Sequence, residues 1–82
     1  MDKELGKVIH YFDKAMVAVI RLEDKLSVGD NVKFVYGENE FSQTVDSMEV
    51  EHEKIQSAGK GEEVAVKVEQ RAKEGTRVYK VE

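Results

Sequence analysis

The chain opens with two apolar segments that predict a β-hairpin. Residues 6–12 are rich in β-branched and aromatic side chains, which favour strands. Asp13 and Lys14 supply a polar turn before a second apolar segment, residues 15–22. This second segment is apolar at successive positions, so that both faces of the strand carry apolar side chains. We therefore expect it to be covered on both sides, within a closed barrel or beneath a neighbouring loop.

The middle of the chain alternates strands with glycine-containing turns. Gly29 and Asp30 offer the backbone freedom of a tight turn just before a strand at residues 31–36. Residues 37–40 predict the next turn, because Gly and Asn tolerate positive φ, and a strand over residues 41–50 follows it.

The alternation in residues 41–50 changes phase partway along the predicted strand. One face carries alternate side chains up to residue 47, namely Phe41, Gln43, Val45 and Ser47. The apolar positions then move by one residue, to Met48 and Val50. A slip of one residue within a strand is what a β-bulge produces, so we predict a bulge at residues 46–48.

The last third of the chain contains the clearest strand pattern. Residues 51–57 are long enough only for a helical turn, and a glycine-bracketed loop follows at residues 58–63. Strict alternation then predicts a strand with one apolar face, formed by Val64, Val66 and Val68. A turn at residues 73–76 precedes a last strand at residues 77–81. Together these patterns predict six or seven short strands without a stable helix, an all-β barrel or sandwich.

Composition limits the protein to one domain and excludes several classes of chemistry. Its 82 residues suffice for one core, so we predict a single, monomeric domain over residues 1–82. The lack of cysteine excludes disulfides, thiolate metal sites and cysteine nucleophiles, and it fits a cytoplasmic protein. No apolar run approaches the roughly 20 residues of a membrane span. The acidic start, residues 1–4, does not look like a signal peptide. A net charge of −4 argues against a surface that binds nucleic acid over its whole extent.

Three segments of the chain occur in the order and spacing of a known domain. They are Leu26-Ser27-Val28-Gly29-Asp30-Asn31-Val32, Thr44-Val45-Asp46-Ser47-Met48-Glu49 and Ala58-Gly59-Lys60-Gly61-Glu62-Glu63-Val64-Ala65-Val66-Lys67-Val68. Over about residues 6–81 the chain thereby resembles the second domain of elongation factor Tu and its relatives among the translational GTPases. The resemblance implies a small closed Greek-key barrel of six or seven strands. It also implies a partner in translation: RNA, the ribosome or a larger protein.

The resemblance carries no catalytic residues with it. The chain has no Gly-x-x-x-x-Gly-Lys-Ser/Thr segment, so it is not expected to hydrolyse GTP as the larger factors do. The matched segments mark turns and strands of the fold, and no contact residue of the family can be matched to a position of this sequence.

The two histidines are the first candidates for chemistry. His10 lies in an apolar strand, where a structural role is expected. His52 stands among glutamates at alternate positions, Glu49, Glu51 and Glu53. Imidazole and carboxylates can bind a metal ion, but this alternation is more typical of a solvated strand end. Our interpretation is therefore that neither histidine holds a metal or cofactor.

Other catalytic arrangements are not recognisable. None of the four serines lies in a Gly-x-Ser-x-Gly segment. The glycine loop at residues 58–61 precedes a strand rather than a helix, so it offers no helix N-terminus to an anion. A small barrel filled with side chains also leaves little room for a catalytic pocket. We therefore predict that the chain is not an enzyme.

Charge is distributed unevenly along the sequence. Residues 38–53 hold six acidic residues without Lys or Arg, whereas residues 67–80 carry a net charge of +3. One interpretation is that the two segments form solvated strands that attract each other. The other is a small nucleic-acid-binding patch, with Tyr79 available for stacking, formed by Arg71, Lys73, Arg77 and Lys80.

The sequence thus leaves three functional hypotheses. The leading one is a non-catalytic module, similar to translation-factor barrels, that binds RNA, the ribosome or a protein of the translation system. The alternative is an accessory protein–protein interaction domain that acts with a separately encoded enzyme. A small metal-binding protein or enzyme that uses His52 ranks last.

Overall fold

The protein is entirely β in the part that its computed structural model describes, residues 3–81; Met1 and Asp2 of the acidic start, and Glu82, lie outside it. The described chain contains ten strands: β1 (Lys3–Phe12), β2 (Val17–Leu22), β3 (Leu26–Ser27), β4 (Asn31–Tyr36), β5 (Asn39–Thr44), β6 (Met48–Val50), β7 (Glu53–Ile55), β8 (Ser57–Ala58), β9 (Glu63–Lys67) and β10 (Arg77–Lys80). None of the described residues forms a helix suited to crossing a membrane.

Eight of the strands form one antiparallel sheet, and the other two form a separate short pair. The order in the sheet is β5-β4-β10-β1-β2-β9-β6-β7, and β3 pairs with β8. The predicted hairpin of the first two apolar segments is confirmed, because Phe12 faces Val17 and Gly6 faces Leu22. The central strand β1 joins two halves of the sheet: β10, β4 and β5 lie on one side, and β2, β9, β6 and β7 lie on the other.

One face of the curved sheet encloses a single apolar core. Alternate residues of the strands point inward, as the period of two requires. The largest fully buried side chains come from distant parts of the chain: Phe34, Leu5, Ile20, Leu22, Leu26, Met48, Val8, Val32, Val45, Val64, Val66 and Val78. The alternating valines at positions 64, 66 and 68 are all buried, so that this strand prediction is confirmed.

The sheet is not closed into a barrel, and the predicted closed Greek-key barrel is wrong in this respect. The strands β5 and β7 stand at the two ends of the sheet, without a ladder between them. The buried amide of Gln43, on β5, makes hydrogen bonds to the end of β9. Gln43 Nε2 donates to the carbonyl oxygen of Lys67 at 2.9 Å, and the Glu69 N–H donates to Gln43 Oε1 at 2.8 Å. One polar side chain thereby links β5, at one end of the sheet, to the end of β9 in the other half.

The phase change in residues 41–50 marks the end of one strand and the start of another, so the predicted bulge is wrong. The strand β5 ends at Thr44, and Val45 turns inward, where its N–H donates to the Asp30 carbonyl at 2.9 Å. The strand β6 then joins a different part of the sheet, opposite β9. Residues 51–57 form no helical turn either, because β6 and β7 make a hairpin.

Two glycines are required by the backbone. Gly29 has a φ of +97°, which confirms the predicted turn before β4. Gly6 lies between β2 and β10, and a Cβ atom at this position would stand 2.1 Å from the carbonyl oxygen of Arg21. Only glycine fits there without moving one of the two central strands.

Candidate functional site

A wide surface depression lies on the outer side of β2, β9 and β6. We call it the apolar groove. It has a volume of about 820 Å³. Its floor and walls carry apolar side chains, namely Phe12, Ala15, Val17, Val19, Val50 and Ala65. In register, Val19 faces Ala65 across the β2–β9 ladder, so these apolar side chains lie side by side on the outer face. Phe12 is 55% exposed, which is unusual for so large an apolar side chain.

Carboxylates surround the apolar groove. Its remaining lining residues are Glu49, Glu51, His52, Gly61, Glu62 and Glu63, without a Lys or Arg among them. Lys54 faces Glu49 and Lys67 faces Val17 in the strand register, yet neither makes an ion pair with a groove carboxylate in the described part of the chain. The groove therefore combines an apolar floor with a negatively charged rim.

The turns beside the apolar groove have unusual backbone conformations. Among residues 3–81, the non-glycine residues with positive φ are Met16 at 54°, Glu51 at 51° and His52 at 69°. Glu51 and His52 connect β6 to β7 in the left-handed conformation that a two-residue hairpin turn demands. Met16 immediately precedes β2, and its thioether accepts a hydrogen bond from the Tyr11 hydroxyl at 3.3 Å.

A second, smaller depression lies among loops of the other half of the sheet. This loop groove, of about 320 Å³, contains two of the predicted nucleic-acid-binding residues, Arg71 and Lys73. The ammonium group of Lys73 lies 5.8 Å from the centroid of the Tyr36 ring, a cation–π contact. Glu40, from the acidic segment of the sequence, lines the same groove. Strand β5 of the acidic segment thus meets the loop at residues 70–76 of the basic segment here, and β10 itself pairs with β1 and β4.

The four predicted cations are not all brought together. Arg77 is exposed on the outer face of β10, opposite Val35 of β4. Lys80 lies about 10 Å farther along that strand and pairs with Asp30 at 3.8 Å. Tyr79, expected to stack, has the Lys33 ammonium group 5.9 Å from its ring centroid. Nucleic-acid binding by these residues stays a prediction.

The structure adds two cations that the sequence interpretation missed. Lys7 faces Arg77 on one side and Arg21 on the other, so that three cations form a row across β10, β1 and β2. These residues are far apart in the sequence, and only the strand register reveals the row.

Neither histidine belongs to a cluster of ligands. His10 is exposed on β1, and His52 is exposed in the β6–β7 turn. Within residues 3–81, no three His, Asp or Glu side chains are placed to hold a metal ion.

The clearest electrostatic perturbation of the described residues lies away from both grooves, at Asp24. A hydrogen bond from the Lys3 ammonium group, at 2.6 Å, and one from the Lys25 backbone N–H lower the pKa of Asp24. Because the charged form is favoured, this contact stabilises the fold at neutral pH and is lost as the pH falls through the pKa of Asp24.

Comparison with known proteins finds a relative of a class that the sequence analysis did not consider. No protein-family model matches the chain. The chain is 36% identical over 78 residues to an uncharacterized protease of Methanocaldococcus jannaschii. The match covers 93% of this chain but 19% of the relative, so the chain spans about a fifth of that protein's length.

Two crystal structures have the same fold. Both are of the C-terminal domain of a Geobacillus thermoleovorans protein assigned as a U32 peptidase, one of them a selenomethionine variant. The first has a TM-score of 0.91 at 20% identity and covers 98% of this chain and 93% of that one. The second has a TM-score of 0.87, also at 20% identity, and covers 93% and 96%.

These findings correct the functional predictions. The resemblance to translation elongation factors is contradicted, since the relatives found are a protease and a peptidase domain. The leading hypothesis of a translation-factor-like module is therefore wrong. The prediction that the chain is not an enzyme is likewise contradicted by a relative named as a protease. The alternative, an accessory domain that acts with an enzyme, agrees better with both comparisons. The fold of this chain is that of the C-terminal domain of the G. thermoleovorans protein.

Proposed function

We propose that this chain is an accessory domain that acts together with the catalytic part of a protease of the U32 type. The observation that carries the proposal is the match to the M. jannaschii protease, which covers nearly all of this chain and about a fifth of that protein. The domain would thus accompany a much larger remainder. The structural match to a C-terminal peptidase domain supports the same assignment.

The surface of the domain supports a binding role beside an enzyme. The apolar groove is open and wide, and its apolar floor is of the kind that protein interfaces bury at their centre. An exposed aromatic side chain, such as Phe12, is a frequent anchor in such contacts.

A domain-replacement experiment tests the proposal. The M. jannaschii protease would be prepared whole, without the 78 matched residues, and as a chimera in which this chain fills the gap. We expect the deletion to lower kcat/KM on a fluorescent casein substrate by at least about tenfold, or about 1.4 kcal/mol. The chimera should recover most of that loss. If the deleted protein stays folded and hydrolyses casein as fast as the whole protein, the accessory role is wrong.

A further inference from the structure

The outer face of the sheet has adjacent apolar residues on β2 and β9, whereas in the other half Val35 lies between Arg77 and Glu40. The solvent face of an antiparallel sheet normally carries polar side chains that alternate with the buried ones. The strand β2 departs from this pattern, because Ala18 and Ile20 fill the core while Val17 and Val19 face outward and are half-buried. Ala65 of β9 extends the apolar surface beside Val19. No described segment of the chain covers this surface, which forms the floor of the apolar groove.

The charges around the groove restrict what can cover it. Among the described residues, four carboxylates line it, those of Glu49, Glu51, Glu62 and Glu63, and no cation does. Arg21 faces Glu63 and Lys54 faces Glu49 in the strand register, but neither cation forms an ion pair with the carboxylate that it faces. A partner segment whose apolar residues are flanked by anions would be repelled by these carboxylates. A segment whose apolar residues are flanked by Lys or Arg would be attracted to them.

A second copy of this chain fits the groove poorly. A symmetric contact between two grooves would place one acidic rim against the other, which is unfavourable. The other large exposed apolar side chain is Tyr36, 46% exposed, at the loop groove. If Tyr36 of one copy entered the groove of the next, the contact would be head-to-tail and would not close into a dimer.

We infer that the apolar groove is a docking site for a partner-protein segment with a few apolar side chains flanked by lysines or arginines. This inference rests on the proposed function in one respect: the partner expected to present the segment is the protease with which the domain acts. The apolar side chains would cover Val17, Val19 and Ala65, and the flanking cations would face the glutamates of the rim.

Two short synthetic peptides test the docking site on the isolated chain. Both have a Leu-Phe-Leu centre; one is flanked by lysines and the other by glutamates. We expect the lysine-flanked peptide to bind at least about tenfold more tightly. In a titration of the isotope-labelled protein, it should shift the NMR signals of β2, β9 and the turn at Glu51 and His52.

Matched variants locate the binding. Val19→Lys should weaken the lysine-flanked peptide by at least about tenfold, as loss of a central contact does. Val35→Lys, the same change on the outer face of β4, should leave binding unchanged. Phe12→Ser, at a position of the same groove that is 55% exposed, should also weaken the lysine-flanked peptide. Glu49→Lys combined with Glu63→Lys should reverse the preference between the two peptides.

Several outcomes would overturn the inference. Equal affinity for the two peptides, no binding of the lysine-flanked one, or shifts at Tyr36 and Arg71 instead would each do so. Signals of β2 that shift with protein concentration alone would show that a second copy is the occupant. Because the peptides are tested without any protease, their failure beside a working chimera would refute the docking site and leave the proposed function standing. Binding of the lysine-flanked peptide together with an inactive chimera would support the docking site and refute the proposed function.

Discussion

The two halves of the sheet share one core but differ on their outer faces. On β10, β4 and β1 the outer face carries mostly charged and polar residues, such as Arg77, Lys7 and Lys33, with Val35 as an apolar exception. On β2 and β9 the same layer carries Val17, Val19 and Ala65. The solvent face of a sheet does not contribute to the core, so its side chains can be polar, as they mostly are on β10, β4 and β1. The other half keeps apolar side chains on this face, and these are the side chains that the proposed docking site would cover.

The backbone conformation of the turns also differs between the two halves. Beside the charged half, positive φ is reached by glycines, at Gly37 and Gly75. Beside the apolar groove it is reached by Gly61 and also by three non-glycine residues, Met16, Glu51 and His52, at a cost in backbone strain. Non-glycine residues held in this region cluster at functional sites, so the strain and the apolar floor both favour the same side of the molecule.

The largest expected effect concerns the strand that joins the two halves. Gly6→Ala would place a Cβ atom 2.1 Å from the Arg21 carbonyl oxygen, so that β1 and β2 must separate. We expect a loss of about 3 kcal/mol or more in the free energy of unfolding, measured by urea denaturation. Gly59→Ala is the control, because its Cβ would meet nothing within 4 Å and its φ is not positive. Equal midpoints for the two variants would show that β1 does not hold the halves together in this way.

The second effect concerns the hydrogen bonds that link β5 in one half to the end of β9 in the other. Gln43→Met keeps the volume of the side chain but removes its hydrogen bonds to Lys67 and Glu69. Loss of two buried hydrogen bonds should cost about 2 kcal/mol. Ser42→Ala, at the exposed neighbouring position, should change stability by less than about 0.5 kcal/mol. A Gln43→Met variant as stable as the parent would mean that the hydrogen bonds of this amide do not stabilise the fold.

The third effect is a gain in stability beside the apolar groove. His52→Gly relieves the left-handed strain, about 1–2 kcal/mol for an ordinary residue. The entropy of glycine offsets about 0.5–1 kcal/mol of this. A net gain of about 0.5–1 kcal/mol in thermal denaturation is therefore expected. His52→Ala keeps the strain, and it should bring no gain; a matching gain would assign the effect to the imidazole instead.

The smallest effect concerns the row of cations on the charged half. Lys7 stands between Arg77 and Arg21, and like charges directly opposite each other destabilise a sheet. Lys7→Glu should therefore stabilise the fold by about 0.5 kcal/mol at low salt. The gain should shrink in high salt, because exposed charges are screened. Lys14→Glu makes the same charge change in the β1–β2 turn, and the row is unimportant if both variants gain equally.

The fold could be predicted where the signal is local. The alternating valines at positions 64, 66 and 68 predict a strand directly, and Gly29 predicts its turn because few other residues tolerate its φ. The β6–β7 hairpin was missed because Glu51 and His52 do not resemble the Asn-Gly pairs that usually form such turns. The hydrogen bonds of Gln43 could not be predicted, because its partners Lys67 and Glu69 lie more than 20 residues away in the sequence.

The candidate site could be predicted only in part. The segment at residues 15–22 showed apolar side chains on both faces, and its need for cover was recognised. The groove itself was not, since Val50 and Ala65 reach β2 only through the ladders of β9 and β6. The resemblance to elongation factors was misleading because the matched segments only mark turns and strands. Such segments occur in proteins with unrelated functions.

Photo-crosslinking tests the central claim most directly, that the apolar groove faces the protease. Phe12 and Tyr36, the two large exposed apolar side chains of residues 3–81, lie at different grooves and form a matched pair. Each would be replaced by p-benzoylphenylalanine in the chimera with the M. jannaschii protease. Position 12 should crosslink to a segment of the catalytic part that carries apolar residues between lysines or arginines, and position 36 should not. Crosslinks from position 36 alone would contradict the account.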